Sequence, residues 1–138
     1  MKTEFEALDV EGAAMENALD DLTVAIRNVE LALRTRLFKA RTKTPIPQIE
    51  AETERHYLVW AMHDKTGWAL HVLTRLEAGD DKTALLVTAP WRLRLRATEC
   101  FDALLVQAAL ELRTRNKEVR DAITRCETFT KKITEPKP

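Results

Sequence analysis

The three histidines of the chain are the residues best suited to metal binding or acid–base chemistry, and they stand close together at positions 56, 63 and 71. A β-hairpin over this stretch would place His56 and His71 on one face, because side chains alternate along a strand. Zinc sites use three or four ligands, and no cysteine or carboxylate stands at ligand spacing from this pair. We therefore predict no metal site and interpret the histidines as half-exposed strand residues.

The two cysteines give no sign of a nucleophilic thiol. Cys100 and Cys126 fall in one helical pattern, about 39 Å apart at 1.5 Å per residue, so they cannot form a disulfide within the chain. Both lie on or beside an apolar stripe, where a free cysteine usually behaves as a small inert hydrophobe. Two unpaired cysteines are typical of a reducing compartment, and the acidic N-terminal sequence has no secretory signal pattern. We therefore expect a cytoplasmic protein.

Motifs for cofactor binding and hydrolysis are absent from the sequence. It contains no phosphate-binding loop, dinucleotide fingerprint, zinc-protease motif or serine-hydrolase motif. Its three glycines are too few to build a phosphate-cradling loop. No run approaches the 18 or so apolar residues of a membrane-spanning helix. The sequence therefore predicts a protein that is not an enzyme, holds no cofactor and does not enter a membrane.

Two clusters of basic residues are candidates for anion binding, although the formal net charge of the chain is zero. Arginines near tryptophans can stack on bases and hold phosphates, which makes a nucleic-acid-associated accessory protein the alternative function. Basic residues also gather at helix C-termini because of the macrodipole, so solvated helix faces explain the clusters equally well. The candidates are Arg34, Arg36, Lys39, Arg41, Arg92, Arg94 and Arg96.

The heptad spacing of apolar residues predicts a long N-terminal helix over residues 3–43. Met15, Leu22 and Val29 recur at intervals of seven, with parallel rows of alanines and leucines beside them. The prolines at positions 45 and 47 end the pattern, so we expect a linker over residues 44–55.

Three strands of an antiparallel meander are predicted over residues 56–88. The first two are joined by a four-residue turn, Asp64 to Gly67, which pairs His63 with Trp68. This register leaves one amphipathic sheet face for a partner protein, and an odd-membered loop would reverse the assignment. The predicted partner-binding residues on that face are Trp60, Met62, His71, Leu73 and Arg75.

A second long helix is predicted over residues 90–133, followed by a frayed tail at 134–138. Leu105, Leu112, Val119, Cys126 and Ile133 recur at seven, and a second row from Phe101 to Phe129 is interrupted only by Arg115. Helices of this length exceed the span of six- to nine-residue strands. We therefore predict a single α+β domain over residues 1–138, whose helices overhang the sheet and pack in a coiled-coil-like manner.

These features favour a non-enzymatic adaptor or accessory protein. The apolar stripes that extend past the sheet indicate a homodimer, and the amphipathic sheet face indicates a further protein partner. The basic clusters support the nucleic-acid alternative, which salt-dependent binding would distinguish from the first interpretation.

Overall fold

The computed structural model describes residues 3–36, 39–48, 52–77 and 79–136. It confirms the α+β class: a long N-terminal helix, an antiparallel sheet and a long C-terminal helix follow one another along the chain. The elements are α1 (Glu4–Thr35), β1 (Thr42–Ile46), β2 (Arg55–His63), β3 (Gly67–Arg75), β4 (Asp81–Leu85), a 3₁₀ turn (Leu86–Thr88), α2 (Trp91–Thr98) and α3 (Phe101–Thr134).

The sheet has four strands, so the predicted three-stranded meander was one strand short. The additional strand, β1, lies where the end of the first helix and the linker over residues 44–55 were predicted. It pairs with β2 in antiparallel register, and Thr42, Thr44 and Ile46 are buried in alternation with exposed residues. Pro45 fits this strand because β1 is at the edge of the sheet order β1-β2-β3-β4. The last strand ends at Leu85, three residues earlier than predicted.

The first helix begins as the sequence indicates but ends earlier than the predicted residue 43. Thr3 and Glu6 form a reciprocal capping box, in which each side chain accepts a hydrogen bond from the other residue's backbone N–H. The helix ends at Thr35, and the apolar residues at positions 37 and 38, expected to extend its stripe, lie outside the described residues. Ala40 beyond them is buried in the core.

The C-terminal helix is divided in two, in contrast to the continuous helix predicted over residues 90–133. Helix α2 ends at Thr98, and α3 begins at Phe101 after a turn at Glu99 and Cys100. The buried residues Ala97, Cys100, Leu104 and Ala108 continue one stripe across this break. The stripe that enters the core therefore runs through Leu104, whereas the predicted row runs through the next residue, Leu105, which is half exposed. The predicted frayed tail begins at residue 134, which is the last residue of α3, so the helix ends one residue later than predicted.

A single core lies between one face of the sheet and the inner parts of the helices. Its sheet residues include Leu58, Trp60, Leu70 and Val72, and α1 contributes Ile26. Within the described residues, no helix is long and apolar enough to cross a membrane.

The two long helices run in the same direction and leave the sheet at opposite ends. Helix α3 starts near Pro45, whose carbonyl oxygen lies 3.9 Å from Cys100 Sγ, and passes the start of β1 beside Arg41 to Lys43. Helix α1 passes α2 near Leu22 and ends where Arg34 reaches Thr66 in the β2–β3 turn. The N-terminal half of α1 therefore projects past α2, and the C-terminal half of α3 projects past the β2–β3 turn. The predicted overhang is present, but the two projecting halves do not lie together.

Candidate interaction surfaces

The hairpin register decides which residues share a face of the sheet, and it differs by one residue from the predicted one. The loop has three residues, so His63 pairs with Gly67 and Met62 pairs with Trp68. Gly67 takes a φ of +76° inside the strand, a backbone conformation that favours glycine. A shift of one residue turns every side chain of β3 to the other face relative to β2.

The five predicted partner-binding residues are therefore divided between the two faces. Trp60 and Met62 share the core face with Leu70 and Val72, whereas His71, Leu73 and Arg75 share the opposite face. Trp60 is fully buried, and its ring stacks on Trp68 with 6.1 Å between ring centroids. Met62, at the end of the same face, is 60% exposed. Trp60 thus belongs to the core of the chain rather than to a free surface.

The opposite sheet face, which we call the outer face, is covered in part by its own long side chains. The Tyr57 ring lies beneath two cations, with Lys43 Nζ at 5.4 Å and the Arg75 guanidinium at 5.3 Å from its centroid. Such contacts stabilise the cations over the ring by about 0.5–1 kcal/mol at exposed sites. Leu73 is buried, but it lies outside the main core cluster. The outer face therefore combines a small apolar floor with a basic rim.

The prediction that the histidines are half-exposed and that His56 and His71 share a face is wrong for this pair: they are buried, at 8% and 5% exposure, on opposite faces of the sheet. His56 Nδ1 lies 2.9 Å from Thr74 Oγ1, and His71 Nδ1 lies 3.0 Å from the Ala69 carbonyl oxygen. Burial lowers the pKa of His71, and the nearby His63 and Arg41 lower it further. Among the described residues, no three histidines, cysteines or acids come together as a cation site. Burial also raises the pKa of Cys100, which disfavours its reactive thiolate.

An edge contact that the sequence analysis missed joins α1 to the sheet. Strand β4 pairs with β3 only from His71 onward, so residues 67–70 of β3 have no strand neighbour on that side. Glu30 occupies the position that a strand neighbour would take. Glu30 Oε2 accepts a hydrogen bond of 2.7 Å from the Leu70 N–H. One turn later, Arg34 Nη1 donates to the carbonyl oxygens of Trp68 and Thr66, at 3.1 and 3.3 Å. Two helix side chains thereby satisfy backbone groups that a further strand would otherwise pair.

Three of the seven predicted anion-binding residues form hydrogen bonds or ion pairs with other segments of the chain. Arg34 caps the sheet edge, Arg94 Nη1 donates to Thr23 Oγ1 at 2.9 Å, and Arg96 forms a two-pronged ion pair with Glu52 at 3.0 and 3.2 Å. Arg92 lies over its neighbour's indole ring, Trp91, at 5.2 Å. The remaining exposed candidates are Arg36, Lys39 and Arg41. Three of the seven candidates therefore hold α1 and α2 in place, whereas Arg41 lines an open polar cavity of about 440 Å³ with Lys43 and Arg115.

The four most exposed large apolar side chains of the described residues all lie on the projecting helix halves. The free half of α1, residues 3–18, is exposed throughout, and Phe5 at its start is 80% exposed. The free half of α3, residues 112–134, is exposed except for the half-buried Ala122. Their exposed apolar residues include Leu8, Val10, Met15, Leu112, Val119, Ile123, Phe129 and Ile133.

The two free halves also carry opposite charge. Residues 3–18 of α1 contain five acids and no base, whereas residues 112–134 of α3 contain seven bases and three acids. A shallow apolar depression of about 600 Å³ lies on α3 between Val119 and Lys131, over Ala122 and Cys126. These surfaces are suited to packing against another helix and offer no convergent set of polar groups for chemistry.

Comparison of the chain with models of known protein families, with curated proteins and with solved structures finds no match. The function of the protein therefore has to be argued from the geometry of its own surfaces.

Proposed function

We propose that this protein is a non-enzymatic interaction protein that works as a homodimer in the cytoplasm and holds another protein as an adaptor or accessory subunit. The observation that carries the proposal is the continuation of both apolar helix stripes well past the sheet they cover. On α1 the stripe that buries Ile26 continues through Met15 to Phe5, and on α3 it continues to Phe129.

Exposed stripes of this kind are costly for a protein that stays alone. Each fully buried Leu or Phe side chain contributes roughly 1.5–3 kcal/mol relative to its exposed state, and large apolar patches on a soluble domain usually mark binding sites. An isolated helix also needs tertiary packing, because helices of 12–15 residues are marginal in water. A second copy of the chain supplies both the packing and the burial.

The outer sheet face is the site we assign to the external partner. It joins Leu73 and Tyr57 to the cations of Lys43 and Arg75, and aromatic and arginine side chains are enriched at binding hot spots. Of the predicted site this assignment keeps the exposed Arg75, with Leu73 and His71 buried beneath the rim at 6% and 5% exposure, and it removes Trp60, which is in the core on the other face.

The nucleic-acid alternative has less support, because three of its seven basic residues already have partners inside the chain. Retention on immobilised duplex DNA or RNA that weakens steeply with salt would favour it.

Light scattering tests the homodimer directly. At micromolar concentration we expect a mass near twice the 15.8 kDa of one chain. Val119→Asp should yield a monomer, because it places a charge in the exposed apolar stripe. The matched control is Thr124→Asp, which adds the same charge on the polar side of α3 and should leave the dimer intact. A wild-type chain that stays monomeric over a wide concentration range would contradict the proposal.

A further inference from the structure

We infer that the free half of α3 pairs with the same segment of a second copy in antiparallel orientation, about a two-fold axis between Val119 and Ala122. This inference rests on the homodimer proposed above and specifies its contact. The surface that carries it, which we call the α3 seam, repeats every three or four residues on one side of the helix. The seam residues are Leu112, Arg115, Val119, Ala122, Cys126 and Phe129.

The α3 seam is a continuation of the stripe that packs α3 on the sheet. Leu104 and Ala108 are buried in the core, and the seam follows them on the same side of the helix at helical spacing. Beyond Glu111 the seam side chains are exposed in the chain, and Arg115 borders the start of β1 at a cavity that it shares with Arg41 and Lys43. Six seam residues along about 27 Å of helix make a contact of coiled-coil type.

A row of charged residues beside the seam specifies the orientation. The row, which we call the flank row, consists of Glu111, Glu118, Arg125 and Lys132, so two acids are followed by two bases at intervals of seven. Residues in this position face the partner helix and set partner choice and orientation in coiled coils. In an antiparallel pair, the flank row of one helix faces the flank row of the other.

The charges fix the register as well. With the two-fold axis between Val119 and Ala122, Glu118 faces Arg125 of the second copy and Glu111 faces its Lys132, and symmetry repeats each pair. A shift of one heptad in either direction sets Glu118 against Glu118 or Arg125 against Arg125 on the axis, which is repulsive. A parallel pair brings the flank row against Asn116, Ile123 and Thr130 and forms no ion pair.

The seam layers fit this register. Leu112 faces Phe129, Val119 faces Ala122, and Arg115 faces Cys126 of the second copy. The small Ala122 and Cys126 line the shallow depression on α3, which can accept a larger side chain from the facing helix. Arg115 keeps its charge at the rim of the seam, where Glu111 of its own helix pairs with it at 3.3 Å.

The antiparallel arrangement also closes. A two-fold contact uses the same surface on both chains and ends at the dimer, whereas a contact between different surfaces propagates into rings or chains. The acidic free half of α1 is the other surface that could meet α3. It projects from the opposite end of the sheet, so a two-fold dimer that used it would lay α1 of each chain along α3 of the other. Residues 3–18 of α1 hold no base, so Glu111 and Glu118 would then face no opposite charge.

Disulfide formation tests the orientation. In the antiparallel register, a thiol introduced by Arg115→Cys lies opposite Cys126 of the second copy, and mild oxidation should convert most of the protein into covalent dimers. The wild-type chain should not cross-link, because the two Cys126 residues are offset by eleven residues, or about 16 Å. The double variant Arg115→Cys, Cys126→Ser is the matched control and should also stay uncross-linked.

Charge reversal gives a second, independent readout. Glu118→Arg should weaken the dimer roughly tenfold or more, since two attractive pairs become repulsive, and adding Arg125→Glu should restore it. A dimer whose wild-type Cys126 cross-links to itself would show a parallel pair and overturn this inference while leaving the homodimer standing. A dimer or a larger species without a 115–126 cross-link would point to α1 as the occupant and would also overturn it. A monomer in all conditions would contradict the homodimer itself.

Discussion

Replacing Glu30 tests whether α1 is anchored to the sheet through the unpaired edge of β3. Glu30 is 5% exposed and Leu70 is fully buried, so the hydrogen bond between them is shielded from bulk water. Glu30→Ala leaves the Leu70 N–H buried without an acceptor, which costs about 1–3 kcal/mol of the free energy of unfolding. For a domain of this size that corresponds to a fall in melting temperature of roughly 3–12 °C.

The neutral variant Glu30→Gln separates the hydrogen bond from the charge. Its carboxamide oxygen can still accept from the Leu70 N–H, so we expect it to retain the stability that Glu30→Ala loses. Burial raises the pKa of Glu30. The Leu70 hydrogen bond and the charges of Arg34 and Arg27 lower this pKa, but their effect is smaller than that of burial. The folded chain therefore holds the Glu30 proton more tightly than the unfolded chain does.

The sign of the pH dependence follows from that shift. Below the ordinary glutamate pKa of about 4.3, Glu30 is protonated in both states and its full contribution to the free energy of unfolding is present. This contribution is lost as the pH rises through the higher pKa of Glu30 in the folded chain. Glu30→Gln cannot ionise, so it should gain stability relative to the wild type as the pH rises from about 4 through the folded pKa of Glu30.

Urea unfolding followed by circular dichroism at several pH values measures both effects, and hydrogen exchange reports on the Leu70 amide. Glu16→Ala is the matched control, because it removes an exposed glutamate from the same helix and should change stability by less than about 0.5 kcal/mol. If Glu30→Ala is as stable as Glu30→Gln, or if the Leu70 amide exchanges at the same rate in both, α1 is not held by this contact.

Two further measurements examine the hairpin register and the cysteines. Trp60→Ala should lower the free energy of unfolding by about 3–5 kcal/mol, whereas Met62→Ala, which removes a side chain that is 60% exposed, should cost about 0.5 kcal/mol or less; equal costs would contradict the register. In the Val119→Asp variant, expected to be monomeric, an aromatic disulfide reagent should modify Cys126 in the folded chain and Cys100 only after unfolding, because Cys126 is exposed in the single chain and Cys100 is buried with a raised pKa; equal rates for the two thiols would place Cys100 at the surface.

The long helices and the central hairpin could be predicted because their patterns are long and regular. The stripe from Leu22 to Leu33 on α1 repeats at helical spacing for three turns, and β2 and β3 are rich in β-branched and aromatic residues. Strand β1 lacked such a signal. It has five residues, its buried positions include Thr42 and Thr44, and it contains a proline, so its alternation is of threonines rather than hydrophobic side chains.

The predicted hairpin register was wrong, although the sequence held a clue to the correct one. The local turn residues fit either register, because a glycine at position 67 suits the end of a four-residue turn or a strand position with positive φ. The two registers differ in which side chains share a face of the sheet. The three-residue loop gathers six apolar side chains on the core side, whereas the four-residue loop mixes them with histidines and arginine. The core-side residues are Leu58, Trp60, Met62, Trp68, Leu70 and Val72.

The contact of Glu30 and Arg34 with β3 could not be read from the sequence. A glutamate four residues before an arginine on a helix is typical of an exposed ion pair that stabilises the helix itself. In the folded chain both side chains turn to the sheet, because β4 is too short to pair with residues 67–70 of β3. Which backbone groups remain unpaired depends on the lengths and registers of all the strands.

The division of each long helix into an anchored half and a free half links the fold to its proposed function. The anchored halves are fixed by the core and by the Glu30 contact, so they hold the free halves at opposite ends of the sheet. A free helical segment gains little from propensity alone, and the α3 seam offers it apolar burial only when a second helix lies alongside. If the proposed homodimer forms, we therefore expect helix formation in the free half of α3 and association of two chains to be one coupled equilibrium, in which the flank row from Glu111 to Lys132 would select the second copy and its direction.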